Sequence, residues 1–210
     1  AAGRASALRH GRPYVLYVGS RQRYKNFHRG LAAYRAWPER TDVDLVVAGR
    51  PRQPHEAMIA DLLPGGGQVR FVGPVSDRAL CALYNRARFF VYPSLCEGFG
   101  IPVLEAMASN CPLCLADRPV FHEVAGEHAV FFDPLSVNDM AAAFSRCLAD
   151  GRRDIDRPAR LRHLSGFGSQ PGPGPGRPGA AGLRIGEVDL HGELHIRVGQ
   201  RTGERSGVGR

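Results

Sequence analysis

The stretch RFFVYPSLCEGFGIPVLEAMA, residues 88–108, predicts a strand, a tight loop and a helix in immediate succession. Residues 88–93 are almost wholly apolar, as expected of a strand that is buried on both faces. Gly98 and Gly100 allow the backbone to turn tightly, and Pro102 suits a helix start because its missing N–H is not needed there. This order is typical of a parallel α/β sheet that binds a ligand at the carboxyl ends of its strands.

Strand and helix patterns alternate on both sides of this stretch, so we predict a doubly wound, Rossmann-like parallel sheet. The predicted strands cover residues 14–19, 43–49, 69–73, 88–93, 112–116 and 128–132. The predicted helices cover residues 26–36, 54–62, 76–86, 102–109 and 136–149. The last helix has a capping box at Ser136 and Asp139, followed by an apolar stripe at Val137, Met140, Phe144 and Leu148.

The chain divides into three segments by composition. We assign residues 1–13 to a linker, residues 14–150 to the α/β domain and residues 151–210 to a Gly/Pro/Arg-rich tail. Of the 26 glycines in the chain, 14 lie in the last 60 residues. We therefore predict that the tail is largely disordered or a frameshifted reading of GC-rich DNA, with a hairpin over residues 183–199 as the alternative.

Charge and cysteine usage narrow the class of protein. The net charge is +8, and Lys25 is the only lysine among 28 basic residues. Such a charge suits nucleic acid, an anionic membrane surface or a phosphorylated substrate, but the basic tail is poor in aromatic side chains, so we predict no nucleic-acid partner. Five cysteines at irregular spacing favour a reduced, cytoplasmic protein.

Residues suited to a phosphate follow two of the predicted strands. Gly19 ends the first strand, and Arg21 and Lys25 follow it with two cations. The N–H groups of Phe99, Gly100 and Ile101 lie at the positive end of the helix dipole, where an anion is stabilised.

Two carboxylates, Glu97 and Glu105, flank the predicted phosphate site and would repel a bare phosphate. A carboxylate can accept hydrogen bonds from two vicinal hydroxyls of a ribose or a hexose. A phosphate between two diols describes a nucleotide sugar. The alternative for this pair is a loop carboxylate and a glutamate that the helix dipole favours.

Residues 14–148 resemble glycosyltransferase family 4, the retaining enzymes of GT-B type, in its C-terminal donor-binding half. The motif EGFGIPVLEAMA (97–108) carries the Glu-x7-Glu signature of that family at Glu97 and Glu105. YVGSRQRYKNF (17–27) resembles the phosphate-binding first loop of the family. FVGPVSDRALCALYNRARFFVYPS (71–94) resembles the segment that packs beside the base and leads into the motif.

The resemblance implies a role for each site residue. Glu105 would bind the ribose and Glu97 the donor hexose, and both are candidate catalytic residues. Arg21, Lys25 and the N–H groups of residues 99–101 would hold the diphosphate. Gly73 would contact the base, although a plain turn glycine is equally consistent there, and Gly19 and Gly98 are the loop glycines. Neither a metal nor a cofactor is expected, because the two cations neutralise the leaving diphosphate.

The implied reaction is transfer of a hexose from a nucleoside diphosphate sugar to a glycan or lipid-linked acceptor, as in polysaccharide biosynthesis by mannosyltransferase-like enzymes. GDP-mannose is the first choice of donor, with UDP-sugars close behind. The expected location is the cytoplasm, with peripheral association at the inner face of the membrane left open. An acceptor-binding domain before Tyr14 and a C-terminal crossing helix are missing from the pattern. An inactive donor-binding remnant and a GT-B epimerase therefore remain as alternatives.

Several other motifs imitate chemical sites, and a structural role is the simpler interpretation of all but the last. They are Cys111 with Cys114, the D-x-D pairs Asp42/Asp44 and Asp154/Asp156, His191 with Glu193 and His195, and His122 with Glu123. The cysteines enter an apolar strand, and the first D-x-D opens one. His122 and Glu123 lie near the expected cleft, where a structural role and a ligand contact are equally consistent.

Overall fold

A six-stranded parallel sheet, with helices joining its strands, forms the body of the protein. The computed structural model describes residues 11–49, residues 67–150, His163 and the backbone of residues 183–188 and 194–198. The strands are β1 (Tyr14–Val18), β2 (Asp44–Ala48), β3 (Val69–Gly73), β4 (Phe90–Tyr92), β5 (Leu113–Ala116) and β6 (Ala129–Phe132). The helices are α1 (Phe27–Ala36), α2 (Asp77–Arg86), α3 (Ile101–Ala108), α4 (Pro119–Ala125) and α5 (Val137–Asp150), with 3-10 turns at Arg23–Lys25 and Pro38–Thr41.

The spatial order of the strands is β3-β2-β1-β4-β5-β6. All five pairings are parallel, with Tyr14 to Val18 aligned on Asp44 to Ala48 and Leu16 aligned on Phe90. The chain moves outward from β1 in one direction and then outward from β4 in the other. The β1/β4 boundary is therefore the topological switch point, where open α/β sheets bind their ligands.

The sheet is buried on both faces, which confirms the doubly wound prediction. Every residue of β1, β2, β4 and β5 is buried. The core between the sheet and its helices includes the side chains of Trp37, Phe89 and Phe144, whose rings contact one another edge-on or tilted at centroid distances of 5.5–5.9 Å. The near-continuous apolar runs of the sequence reflect this two-sided burial.

The capping box predicted for α5 forms in part. The hydroxyl of Ser136 accepts a hydrogen bond from the N–H of Asp139 at 3.2 Å, as predicted. The carboxylate of Asp139 does not return to Ser136. It accepts from the N–H of Asp133 at 2.7 Å and so fixes the turn that leads out of β6. The predicted apolar stripe packs on the core.

The pattern missed one helix, α4 (Pro119–Ala125). Its seven residues are too few for two turns of amphipathic periodicity, so a sequence window cannot separate it from a loop. Pro119 at its first position was the available signal. The predicted helix over residues 54–62 lies outside the described residues.

Asp44 is a buried charge at the amino end of β2, far from the carboxyl ends of the strands. Its side chain is 3% exposed and pairs with the guanidinium of Arg70 at 2.8 Å and with that of Arg12 at 3.3 Å. It also accepts a hydrogen bond from the N–H of Gln68 at 3.0 Å. Asp44 of the first D-x-D pair therefore has the structural role that its place in a strand indicated.

Cys111 and Cys114 are buried cysteines of the core without a disulfide, as their apolar surroundings indicated. Burial raises the pKa of the Cys114 thiol well above its usual range, and neighbouring Cys147 raises it further. Such a thiol stays protonated and unreactive, in contrast to the low-pKa cysteines of redox motifs.

Two features fall within the predicted tail. Strands β7 (Leu183–Val188) and β8 (Leu194–Val198) pair in antiparallel fashion, which is the hairpin alternative for that segment. A ring nitrogen of His163 lies 2.9 Å from the carbonyl oxygen of Val124 in α4. The chain thus contacts the α/β domain again after the predicted boundary at residue 150. The other residues of the tail, including His191, Glu193 and the second D-x-D, lie outside the described residues, and nothing is described of the His195 side chain.

Candidate functional site

The two loops that carry the predicted site residues leave adjacent strands at the switch point. One loop follows β1 and leads into α1, and the other follows β4 and leads into α3. Their backbones are joined by a hydrogen bond of 2.8 Å from the N–H of Leu95 to the carbonyl of Tyr24. The fold therefore brings together two segments that are about 70 residues apart in the sequence.

Lys25 and Glu97 meet across these loops. The ammonium nitrogen of Lys25 lies 2.6 Å from Oε1 of Glu97, and each side chain is 12% exposed. The ammonium group also lies 5.2 Å and 5.1 Å from the ring centroids of Tyr24 and Tyr92. Both predicted residues thus lie in one small, largely desolvated place at the edge of the sheet.

Asn26 fixes the position of Lys25. Its φ of +54° closes the 3-10 turn at Arg23–Lys25 and starts α1, and Asn tolerates this left-handed conformation better than most residues. Its side-chain amide donates to the carbonyl of Pro134 at 2.7 Å, in the loop after β6. The sequence reasoning missed this residue, although Asn before a helical pattern is a recognisable turn signal.

Two further hydroxyls converge on the same oxygen of Glu97. Tyr92 donates to Oε1 at 3.0 Å and accepts from the Lys25 ammonium at 2.8 Å. Ser94 donates to Oε1 at 2.5 Å. Both residues are fully buried, and burial together with the charge of Glu97 raises the pKa of Tyr92 far above its usual range. The phenol therefore remains a proton donor at any physiological pH.

Glu105 lies in the second turn of α3 and faces α2. Its Oε2 accepts a hydrogen bond from the hydroxyl of Tyr84 at 3.1 Å. Burial raises the pKa of Glu105, the bond from Tyr84 lowers it, and the charge of Asp77 raises it. Tyr84 is 1% exposed, and its own pKa is raised by burial and by Glu105.

The N-terminus of α3 has the geometry of an anion site. Gly100, which precedes the helix, has a φ of +83°, and a Cβ there would lie 3.2 Å from the ring of Phe121. Val103 donates to the carbonyl of Gly100 at 2.8 Å, whereas no described backbone carbonyl accepts from the N–H groups of Gly100 and Ile101. Pro102 is the second helical residue, one place later than predicted.

Gly98 differs from Gly100. Its φ is not in the left-handed region, and a Cβ added there would meet no heavy atom within 4 Å. The backbone bends at Gly98, but in a conformation that residues other than glycine also adopt. The residue leaves open space beside Glu97.

Arg21 points toward β3. Its guanidinium carbon lies 5.7 Å from the ring centroid of Phe71. Burial raises the pKa of Tyr17, while the charge of Arg21 lowers it and the charge of Glu97 raises it. Arg21 and Glu97 therefore lie within electrostatic range of one hydroxyl.

Three glycines line the carboxyl ends of neighbouring strands. Gly19, Gly49 and Gly73 follow or end β1, β2 and β3 with φ values of +139°, +128° and +70°. A Cβ on Gly49 would overlap the carbonyl oxygen of Gly19, so only glycine fits there. The sequence reasoning named Gly19 and Gly73 but missed Gly49, which lies at the same place after its strand.

His122 and Asp117 form a pair outside this cluster, after β5. A ring nitrogen of His122 lies 2.7 Å from Oδ1 of Asp117, and the imidazole stacks on Phe131 at a centroid distance of 3.8 Å. Both partners are exposed, and no described side chain joins them to Glu97 or Glu105. Within the described part of the chain, no group of three or more His, Cys, Asp or Glu side chains could hold a metal ion.

Sequence comparison identifies the family of this chain. The model of the family "glycosyl transferases group 1" matches residues 3–162, which is most of the chain. The chain belongs to the group 1 glycosyltransferases. A curated group 1 relative is the O-antigen chain mannosyltransferase RfbU of Salmonella typhimurium, which is 39% identical over 123 residues, 58% of this chain and 34% of that protein.

A second relative is the O-antigen chain mannosyltransferase B of Escherichia coli, which is 35% identical over 142 residues, 65% of this chain and 37% of that protein. The chain thus spans about a third of the length of these relatives. Among solved structures, the sucrose-phosphate synthase of Thermosynechococcus elongatus matches with a TM-score of 0.60 and 27% identity, covering 78% of this chain and 42% of that one. None of the helices in the described residues combines the length and hydropathy that a membrane crossing requires.

Proposed function

We propose that this chain is the donor-binding part of a retaining hexosyltransferase that uses a nucleoside diphosphate sugar. The acceptor is a glycan or a lipid-linked sugar in the assembly of a cell-surface polysaccharide. GDP-mannose is the proposed donor, in keeping with relatives that are named as mannosyltransferases. The proposed location is the cytoplasm, where the complete protein works on acceptors at the inner face of the membrane.

The observation that carries this proposal is the contact between Lys25 and Glu97 at the switch point. Their separation of 2.6 Å supports the proposal, because an ammonium is suited to a phosphate and the carboxylate beside it is suited to sugar hydroxyls. The N-terminus of α3 begins four residues after Glu97 and adds two N–H groups, those of Gly100 and Ile101. A diphosphate with a hexose on one side and a ribose on the other fits cations and N–H groups that lie between two carboxylates.

Each group has a proposed task. The ammonium of Lys25, the guanidinium of Arg21 and the N–H groups near Phe99, Gly100 and Ile101 bind the diphosphate and stabilise its charge as it leaves. Glu97 accepts hydrogen bonds from the hexose, and Glu105 accepts them from the ribose diol. Gly73 contacts the base at the end of β3. Because cations and N–H dipoles neutralise the leaving group, the proposed reaction needs no metal and no cofactor.

The isolated chain is proposed to bind the donor without transferring sugar. The matched part of the chain covers about a third of each relative, and we propose that a group that orients the acceptor comes from the part of a complete enzyme that the match does not cover. Orientation of two reactants can contribute roughly 7–11 kcal/mol to lowering a barrier. Glycosyl transfer by residues 1–210 alone would contradict this part of the proposal.

The test is calorimetric titration of the chain with GDP, UDP and ADP, followed by 2′-deoxy-GDP. The wild type should bind at least one nucleoside diphosphate and prefer the ribose form. Glu105→Gln should weaken the ribonucleotide by roughly 1–3 kcal/mol, since neutral hydrogen bonds replace charge-assisted ones, and should lose most of the ribose preference.

The matched control is Glu127→Gln, a change at an exposed glutamate of the same domain. It should leave both the affinity and the ribose preference at wild-type values. Equal discrimination by the wild type and Glu105→Gln would remove Glu105 from the site. Failure of the wild type to bind any of the three nucleotides would refute the proposed function.

A further inference from the structure

Four aromatic rings form a continuous column beneath the site. Consecutive ring centroids are 5.3 Å, 5.4 Å and 5.5 Å apart, and each ring is at most 1% exposed. The members, in order, are Tyr84 from α2, Phe90 and Tyr92 from β4, and Phe121 from α4. The two tyrosines are the only members of the column with a polar side-chain atom, and each hydroxyl donates a hydrogen bond to a different carboxylate of the site.

The geometry assigns Tyr84 and Tyr92 as positioning residues, one for each carboxylate: Tyr84 holds Glu105 by Oε2, and Tyr92 holds Glu97 by Oε1. This inference rests on the proposed function, because the carboxylates are held for the ribose and the hexose. Neither tyrosine is assigned a contact with the donor. Each acts through the glutamate that it binds.

Holding one oxygen leaves the other for a ligand. A glutamate side chain has three rotatable bonds, and a hydrogen bond from a rigid, buried phenol fixes the plane of its carboxylate. In Glu97 all three hydrogen-bond donors meet at Oε1, and within the described part of the chain none reaches Oε2. A sugar diol would therefore find an oxygen whose direction is set before binding, which reduces the entropy lost on binding.

The direction of each hydrogen bond is fixed by its surroundings. The ammonium of Lys25 can only donate, so the oxygen of Tyr92 accepts from it, and the phenolic proton is left for Glu97. Burial and the adjacent glutamates raise the pKa of both phenols, so both keep their protons. Phenylalanine in either place would keep the ring in the column and remove the bond to the carboxylate, and at position 92 it would also remove the bond from Lys25, which affects GDP and 2′-deoxy-GDP alike.

The test compares Tyr84→Phe and Tyr92→Phe in two binding ratios, measured by titration of the whole chain. The first ratio is the affinity for GDP over that for 2′-deoxy-GDP, and the second is the affinity for GDP-mannose over that for GDP. Tyr84→Phe should lower the first ratio by about three- to tenfold and leave the second unchanged. Tyr92→Phe should lower the second ratio by a similar factor and leave the first unchanged.

Tyr34→Phe is the matched control. Tyr34 is fully buried, and its hydroxyl donates to the carbonyl of Val43 at 2.7 Å instead of to a carboxylate. This variant should lose thermal stability and keep both ratios. If Tyr84→Phe and Tyr92→Phe fold and retain both wild-type ratios, the positioning role is refuted while the proposed function stands. If the wild type shows neither preference, the proposed function fails and this inference fails with it.

A variant that does not fold still gives an answer. Should Tyr84→Phe fail to fold, it is combined with Glu105→Gln, which removes the charge that the hydroxyl holds. A folded double variant supports the inference, because the hydroxyl is then needed only for the carboxylate. A double variant that also fails to fold shows that the hydroxyl serves the core, and this result overturns the assignment. Tyr92→Phe combined with Glu97→Gln gives the corresponding test for the other carboxylate.

Discussion

Replacing Lys25 by methionine should reveal whether the Lys25–Glu97 pair organises the site. At 2.6 Å and an effective dielectric constant of ~20, the gross attraction between two unit charges is about 6 kcal/mol. Desolvation of both groups offsets much of this attraction, and Tyr92 and Ser94 continue to hold Oε1 of Glu97 after the ammonium is gone. The expected net loss is therefore about 1–3 kcal/mol, below the full cost of leaving a buried charge without any partner.

The assay is thermal unfolding of four proteins: the wild type, Lys25→Met, Glu97→Gln and the double variant. A loss of 1–3 kcal/mol corresponds to a fall in Tm of about 2–12 °C for a chain of this length. The two single changes should be non-additive by more than about 0.5 kcal/mol, since contacting residues share one interaction. Arg35→Met, which removes an exposed cation from α1, is the control and should leave the Tm nearly unchanged. Additive effects of Lys25→Met and Glu97→Gln would refute the reasoning.

Three further results are expected. Asp44→Asn should destabilise the chain by roughly 1–3 kcal/mol and leave GDP affinity unchanged, because the buried ion-pair network of Asp44 lies at the amino end of β2; a change in calorimetric GDP affinity would contradict its structural role. Gly100→Ala should lower the free energy of unfolding by about 1–3 kcal/mol in chemical denaturation, because φ is +83° and Phe121 is 3.2 Å from the new Cβ. Gly98→Ala should lower it by less than ~0.5 kcal/mol. Equal losses would show that Gly98 is also constrained. Affinity for GDP should fall as the pH is lowered through the raised pKa of Glu105, since only the ionised carboxylate accepts hydrogen bonds from both ribose hydroxyls. Glu105→Gln should lose this pH dependence. If the variant keeps it, another group is responsible for the pH dependence.

The stability effect of Glu105 has the opposite sign from that of an ordinary ion-paired carboxylate. Because the pKa is raised in the folded state, the folded chain binds the proton more tightly than the unfolded chain does. The cost of burying the ionised group is fully present above the folded pKa and disappears as the pH falls toward the unfolded value of 4.5. Glu105 thus lowers stability at neutral pH, which is consistent with a group that is kept for binding.

The sheet was predictable from sequence because strands that are buried on both faces have continuous apolar sequences. Strands such as β1 and β5 are continuous apolar runs, so each predicted strand corresponds to an observed one with ends that differ by two residues or fewer. Helix α4 was missed because seven residues do not establish a helical period, although its buried residues Phe121, Val124 and Ala125 pack on the core. The part of the chain with strong periodicity was therefore predicted, and the part without it was not.

The residues of the site were predictable, but their mutual contacts were not. Glu97 and Glu105 stand out within a twelve-residue motif, and Lys25 stands out as the single lysine. No periodicity, however, indicates that Tyr92 and Ser94 direct their hydroxyls at Glu97, because apolar neighbours make them look like ordinary strand residues. These two bonds depend on the conformation of the loop after β4, which no periodicity describes. The contact between Lys25 and Glu97 depends instead on the register of β1 against β4, and a sequence pattern does not specify the register between strands that are distant in the chain.

The contact between Lys25 and Glu97 also resolves an electrostatic difficulty of the site. A carboxylate beside a diphosphate would weaken binding if both charges acted alone, yet here the ammonium of Lys25 already lies against Oε1 of Glu97. The pair is close to neutral as a unit, so an anion at the N-terminus of α3 meets the helix dipole and an ammonium whose three protons can serve more than one acceptor. Under the proposed function, removing Lys25 would therefore do more than delete one phosphate contact, because it would also expose the donor to the uncompensated charge of Glu97.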